Sequence, residues 1–161
     1  MMLMLSIAGA LAGAVLAGFF SGVETAAYSA SEVRLRHLEQ AGDPRAATAL
    51  RLLGRLSDLV TTSLIGHNIS VYLGAFILTT YLDRFFHHNS ELISTMCLIM
   101  PNFIIAETLP KRVAHAVSEI FLLNAARTTR ISRIALYPFR LLLSVFTHCI
   151  HSLLERFGHI P

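Results

Sequence analysis

Charge is scarce in this sequence, and the first 23 residues carry none at all. A water-soluble domain has about 25% charged residues. Here charged residues make up 14% and hydrophobic ones 54%, with a mean hydropathy of +0.60. That balance excludes an ordinary soluble domain and leaves a membrane protein. Cysteine is nearly absent as well. Cys97 and Cys149 lie in apolar stretches, with neither the spacing of a metal knuckle nor that of a secreted disulfide framework; both are expected to be small packing residues. No Lys or Arg precedes the first apolar run, which argues against a secretory signal peptide. There is no His-Glu-x-x-His pair or comparable nucleophile arrangement, so an intramembrane hydrolase built on Glu107 and His67 is disfavoured. A formal net charge of +3 is modest, and no nucleic-acid partner is expected.

What is present reads as one all-α membrane domain over residues 1–161. A helical span needs about 20 apolar residues, and three runs supply them, at about 3–30, 59–82 and 92–110. Gly9-x-x-x-Gly13 and Gly18-x-x-x-Gly22 are small-xxx-small pairs in the first run. They let another helix approach closely without naming it. Residues 32–57 are polar and turn at Gly42-Asp43-Pro44, with apolar residues at helical spacing on each side. This predicts a helical hairpin at the membrane surface. Its five arginines, Arg34, Arg36, Arg45, Arg51 and Arg55, place it in the cytoplasm by the positive-inside rule. The N-terminus is then outside and the C-terminus inside. Residues 113–158 have apolar runs broken by Arg127, Arg130, Arg133 and Arg140, as amphipathic juxtamembrane helices would. A fourth, poorly formed span over Leu136–Leu154 is the alternative.

Polar residues interrupt the spans at three places. Phe19–Ser31 includes Ser21, Glu24, Thr25, Ser29 and Ser31. Hydroxyls in membrane helices often just bond back to the preceding turn, which covers any one of them more easily than a cluster with an acid. The second span holds Ser63 and His67 on one face, with Gly66 and Asn68 alongside. A lone His is more often a satisfied packing residue than a ligand, and here both readings stay open. Third is Asn102–Lys111, which puts Glu107 near the end of an apolar run and Pro110 after it. An intramembrane carboxylate normally faces a partner, a water-filled cavity or an ion path. Pro110 lacks an N–H, so in a continuing α-helix the Ala106 carbonyl would lose its donor. Carboxylate and carbonyl oxygens together suit a hard cation, whereas an interfacial Glu ending the span is the plainer reading.

Phe20-Ser21-Gly22-x-Glu24-Thr25-Ala26, a basic hairpin, Leu64-Ile65-Gly66-x-Asn68 and Glu107-x-x-Pro110-Lys111 occur in the order and spacing of one family. Over essentially its whole length the chain resembles the transmembrane domain of the cyclin M/CorC magnesium transporters. The resemblance implies a homodimer in the plasma (bacterial inner) membrane, each subunit with three spans and a belt of juxtamembrane helices. It implies magnesium export, coupled in some members to sodium influx. The family holds a dehydrated Mg²⁺ with hydroxyl, amide and carboxylate oxygens from the three spans. Ser21, Ser63 and Glu107 match ligand positions, and His67 stands where the family has an amide. A second family Asn, five residues after the Gly, is here Val71. The CBS-domain pair that normally follows is not expected within these residues. The expected function is therefore Mg²⁺ transport, with a non-transporting binding or regulatory module of the same fold as the alternative.

Overall fold

Met2–Ser29 is one continuous helix, α1, because nothing in its length stops it: no proline, no charge before Glu24, and many Ala and Leu. The computed structural model describes residues 2–86 and 89–156, without the side chains of 148 and 151–156. α1 ends where Ser31 turns extended (φ −81°, ψ 113°) and its Oγ accepts the Arg34 N–H, capping α2 (Glu32–Gln40). Gly42, at φ +93°, reverses the chain. The Asp43 N–H reaches the Leu38 carbonyl and the Gly42 N–H that of Glu39, a Schellman closure that only a residue tolerant of positive φ makes cheaply. Asp43 then caps α3 (Pro44–Leu53), accepting the Arg45 N–H at 2.9 Å, with Pro44 in the first turn. The hairpin predicted at the Gly-Asp-Pro sequence is thus present.

α4 (Leu56–Phe86) is the second long helix. The third is continuous over Ser90–Ala116, but it is composite: α5 (Ser90–Pro101), a π-helical segment over Asn102–Thr108, and α6 (Leu109–Ala116). Among the described residues these three stretches are long and apolar enough to cross a membrane, and Leu136–Leu154 is not a fourth. A break at Val117 (φ −131°, ψ 47°) separates α6 from α7 (Ser118–Ala135), and one at Leu136 separates α7 from α8 (Tyr137–Arg156). The fold is all-α, with three candidate spans and further helices, as the sequence predicts.

Small residues set the packing. α1 and α4 run antiparallel in contact, so closely that a Cβ on Gly13 would lie 2.8 Å from the Ser70 carbonyl oxygen and 2.9 Å from the Gly74 Cα. Gly18 meets the third span instead: a Cβ there would be 2.7 Å from the Ile105 carbonyl oxygen and 2.8 Å from Pro110 Cγ. The glycine pairs of α1 therefore serve contacts within one chain. A small cluster of Ala14, Ala17 and Ala106, flanked by Val71 and Ile105, ties the three spans together. A larger one joins the end of α1 (Val23, Ala26, Ala27) to the hairpin (Leu35, Ala46, Ala49, Leu52), to Leu59 of α4 and to Leu122 of α7. The cysteines correct the expectation. Cys97 and Cys149 are exposed rather than packed inside, because the spans use Gly, Ala and Ser at their close contacts and leave larger side chains facing outward.

Candidate metal-ion site

Most hydroxyls of the spans bond back to their own helix. Thr25 donates to the Ser21 carbonyl, Thr62 to Asp58 and Ser70 to Gly66, at 2.7–3.1 Å. Ser21 and Ser63 do not. They are 3% and 1% exposed, and neither Oγ has a hydrogen-bond partner among the described residues. Leaving such a group unsatisfied costs about 1–3 kcal/mol. In the antiparallel register Ala17 pairs with His67 and Phe20 packs on Gly66, so Ser21 falls level with Ser63 across the α1–α4 contact. Thr129 in α7 has a third such hydroxyl, outside the spans.

His67 lies one turn along α4 from Ser63, half-buried, and its Nδ1 is 3.1 Å from the Ala17 carbonyl oxygen. A carbonyl only accepts, so Nδ1 carries the proton and, in the neutral ring, Nε2 holds the lone pair. This is the backbone anchor that fixes the tautomer of metal-ligating histidines. Asn68 points elsewhere: exposed, it donates to the Leu64 carbonyl at 2.9 Å. Glu24 is half-buried.

The third span meets this level through its π segment. Each π turn lengthens the hydrogen bond to i→i+5, and the Leu109 N–H accordingly reaches the Ile104 carbonyl. Pro101 and Pro110 bracket the segment. Ala106 is buried against Ala14 and Ala17, and the Ile105 carbonyl abuts Gly18. Glu107, next in sequence, is turned outward. Its carboxylate accepts a charge-assisted bond from Lys111 Nζ at 2.8 Å, and its side chain is 48% exposed. The structure thus brings Ser21, Ser63 and His67 to one interface. It packs Ile105 and Ala106, just before Glu107, against α1 near this interface, while the Glu107 carboxylate faces Lys111. Among the described residues no three His, Cys, Asp or Glu side chains gather as a metal cluster, so any ion here would rest mainly on hydroxyl and carbonyl oxygens. The sequence left two parts of this arrangement unseen: the Ala17 anchor of His67, and the π segment, whose one local sign is the pair of prolines.

Residues 8–159 match the family model described as the cyclin M transmembrane N-terminal domain. The chain belongs to the cyclin M transmembrane family. It is also 30% identical over 135 residues to a UPF0053 protein of Haemophilus influenzae (strain Rd), covering 83% of this chain and 32% of that protein. The chain therefore spans about a third of the length of the curated relative it matches. Cyclin M membership brings a transporter-type membrane domain, linked to divalent-cation transport. Against that family's pattern, the two departures on α4 have different physical weight. Val71 puts methyl groups against Ala14, Ala17 and Ala106 where the cyclin M pattern has an amide, so no ligand replaces it. His67 instead keeps a polar group there, anchored through Nδ1 to the Ala17 carbonyl.

Proposed function

We propose that this chain is the membrane unit of a magnesium exporter, binding Mg²⁺ between its three spans through Ser21, Ser63 and Glu107, with His67 at the edge of the site. The proposal includes a homodimer in the plasma membrane, N-terminus outside and C-terminus cytoplasmic, with sodium influx as a driving force. No catalytic residue or resident cofactor is part of it, and the protein is not proposed to be an enzyme. The observation that carries the reading is the pair of buried, partnerless hydroxyls on adjacent spans, in a chain of a family linked to divalent-cation transport. Hard cations take oxygen ligands, and a divalent ion in low dielectric needs a formal negative charge nearby. Glu107 supplies that charge, and Lys111 is the cation that neutralises the carboxylate when no metal is bound.

Calorimetry with Mg²⁺ on the purified protein tests this. Glu107→Gln is expected to abolish most binding and Ser21→Ala to weaken it. A Gln variant that binds as tightly as wild type would place the site elsewhere, with Glu24 the next candidate. Val71 and the Glu107–Lys111 pair favour a second reading, a binding or regulatory module that keeps the fold without transporting. Magnesium flux in proteoliposomes separates the two: binding with no flux selects the second.

A further inference from the structure

Away from the proposed ion site, four arginines line one cavity that holds a single carboxylate. Asp58, in the first turn of α4, accepts from Arg140 of α8 at 2.7 Å and from Arg133 of α7 at 3.1 Å. Both arginine side chains are largely buried, at 20% and 16% exposure. Arg55 and Arg130 line the same cavity, of about 450 Å³, with Tyr137 and Ile134. Neither of them has an ion-pair partner among the described residues, and both are exposed. Burial pushes the Arg133 pKa below its ordinary value; Asp58 opposes this, while the neighbouring charges of Arg140 and Arg55 add to it. The cluster is thus cationic beyond what its single acid neutralises.

A second cavity lies next to the first along α4 and α8: Thr61 on its wall is one turn past Asp58, and Phe139 adjoins Arg140. It holds about 910 Å³ between α4 and α8, lined by Leu64, Ile65, Tyr72, Phe139, Leu142 and Phe146 among others. Asp58, Thr61, Ile65, Ile69 and Tyr72 follow one another at spacings of three and four, so one stripe of α4 passes from the arginines into the apolar cleft. On α8, Arg140 stands next to Phe139 and is followed by Leu142 and Phe146, which are 72% and 67% exposed.

We propose that this composite surface is a binding site for an anionic phospholipid, with the headgroup phosphate on Arg55 and Arg130 and the acyl chains in the α4–α8 cleft. Guanidinium groups match phosphate oxygens with paired N–H donors. Basic pockets between membrane helices on the cytoplasmic side hold anionic headgroups, and the arginine-rich end of α4 is the cytoplasmic end under the proposed topology. The adjacency of charge and hydrocarbon selects the occupant. A free phosphate ion would leave the cleft empty, and an apolar protein face would leave the arginines without counter-charge.

The test is native mass spectrometry of the protein in mild detergent, with phosphatidylglycerol, cardiolipin and phosphatidylcholine offered in turn and inorganic phosphate as the soluble control. Wild type should retain the anionic lipids in preference to phosphatidylcholine. Arg55→Gln with Arg130→Gln should lower that retention by roughly tenfold or more, and Leu142→Asn should lower it while the arginines are intact. Arg36→Gln with Arg84→Gln, equal in charge change but distant from the cavity, should leave it unchanged. Equal retention in the Arg55/Arg130 variant, or equal loss in the Arg36/Arg84 control, would overturn the proposal. So would inorganic phosphate competing the lipid away at matching affinity. Cys149 lines the cleft, so in a Cys97→Ser background efficient Cys149–Cys149 crosslinking between copies would assign the cleft to a second subunit and reject the lipid.

Discussion

At the scale of single residues, His67 distinguishes this chain from the family pattern. With Nδ1 held by the Ala17 carbonyl, the nitrogen left to act is Nε2. Imidazole nitrogen suits manganese, cobalt, nickel and zinc better than magnesium, whereas an amide oxygen suits magnesium. His67→Asn is therefore expected to raise Mg²⁺ affinity and lower the Mn²⁺/Mg²⁺ preference, both read by calorimetry. Unchanged affinities for the two metals would show that the ring does not touch the ion. Lys111 bears on the same site from the opposite charge. It neutralises Glu107 across 2.8 Å, so an incoming cation competes with it. Lys111→Met should tighten Mg²⁺ binding, and a variant that binds more weakly would mean that Lys111 positions the carboxylate instead.

Between elements, the contacts that matter are close approaches of backbone and a few ion pairs. Gly18→Ala would put a Cβ 2.7 Å from a backbone carbonyl of the π segment, which has no flexible end to move. A loss of about 1–3 kcal/mol is expected, read as a lowered thermal midpoint in detergent. Gly54→Ala is the control: its nearest heavy atom would be 3.5 Å away and its φ is −59°, so stability should hold or rise. Glu119 clamps the hairpin to α7. It accepts the Ser31 N–H and pairs with Arg34, each at 3.4 Å. Its own backbone N–H, the Ser31 N–H and Arg34 hold its pKa below the ordinary carboxylate range, against burial. A depressed carboxylate stabilises the fold fully above its unfolded pKa, about 4.3, and loses that contribution as pH falls through the lower folded value. Glu119→Gln should thus cost about 1 kcal/mol at neutral pH. Wild type and variant should converge in thermal midpoint as the pH is taken below about 4; a gap that persists there would exclude the carboxylate charge as its cause.

For the whole molecule, the proposed function commits to an orientation and an assembly. The proposed topology, argued from arginine placement, has the hairpin inside and the turn between the second and third spans outside. Cysteines introduced at Asp43 and Asn89 should label from opposite sides of a sealed vesicle, and labelling from one side would reverse the topology. The proposed homodimer would rest on surfaces other than the glycine faces of α1, because those are used within the chain. The apolar outer faces of α4 and α5 away from the α8 cleft, with Phe76, Met96 and Met100 exposed, are the alternative ground. Mass photometry in nanodiscs should give two copies, and a strictly monomeric mass would sink the dimer.

Hydropathy and turn chemistry are local, so the sequence by itself determined the three long helices, the hairpin at Gly42-Asp43-Pro44 and the class of fold. It also singled out Ser21, Ser63, His67 and Glu107 as polar groups where hydrocarbon is expected. Which of them meet was decided by helix register, a property of packing between distant segments. The Gly13–Gly74 contact sets Ser21 level with Ser63, and the same register brings the Ala17 carbonyl to His67. The π segment depends on both scales: Pro110 removes an α-helical donor locally, while the fit of Ala106 and Ile105 against α1 fixes which carbonyls face the neighbouring helix. The direction of the Glu107 carboxylate, toward Lys111, follows from that geometry. Nor did arginine spacing in the sequence foretell the convergence on Asp58, since Arg133 and Arg140 approach it from two helices that meet only after the chain has turned at Leu136.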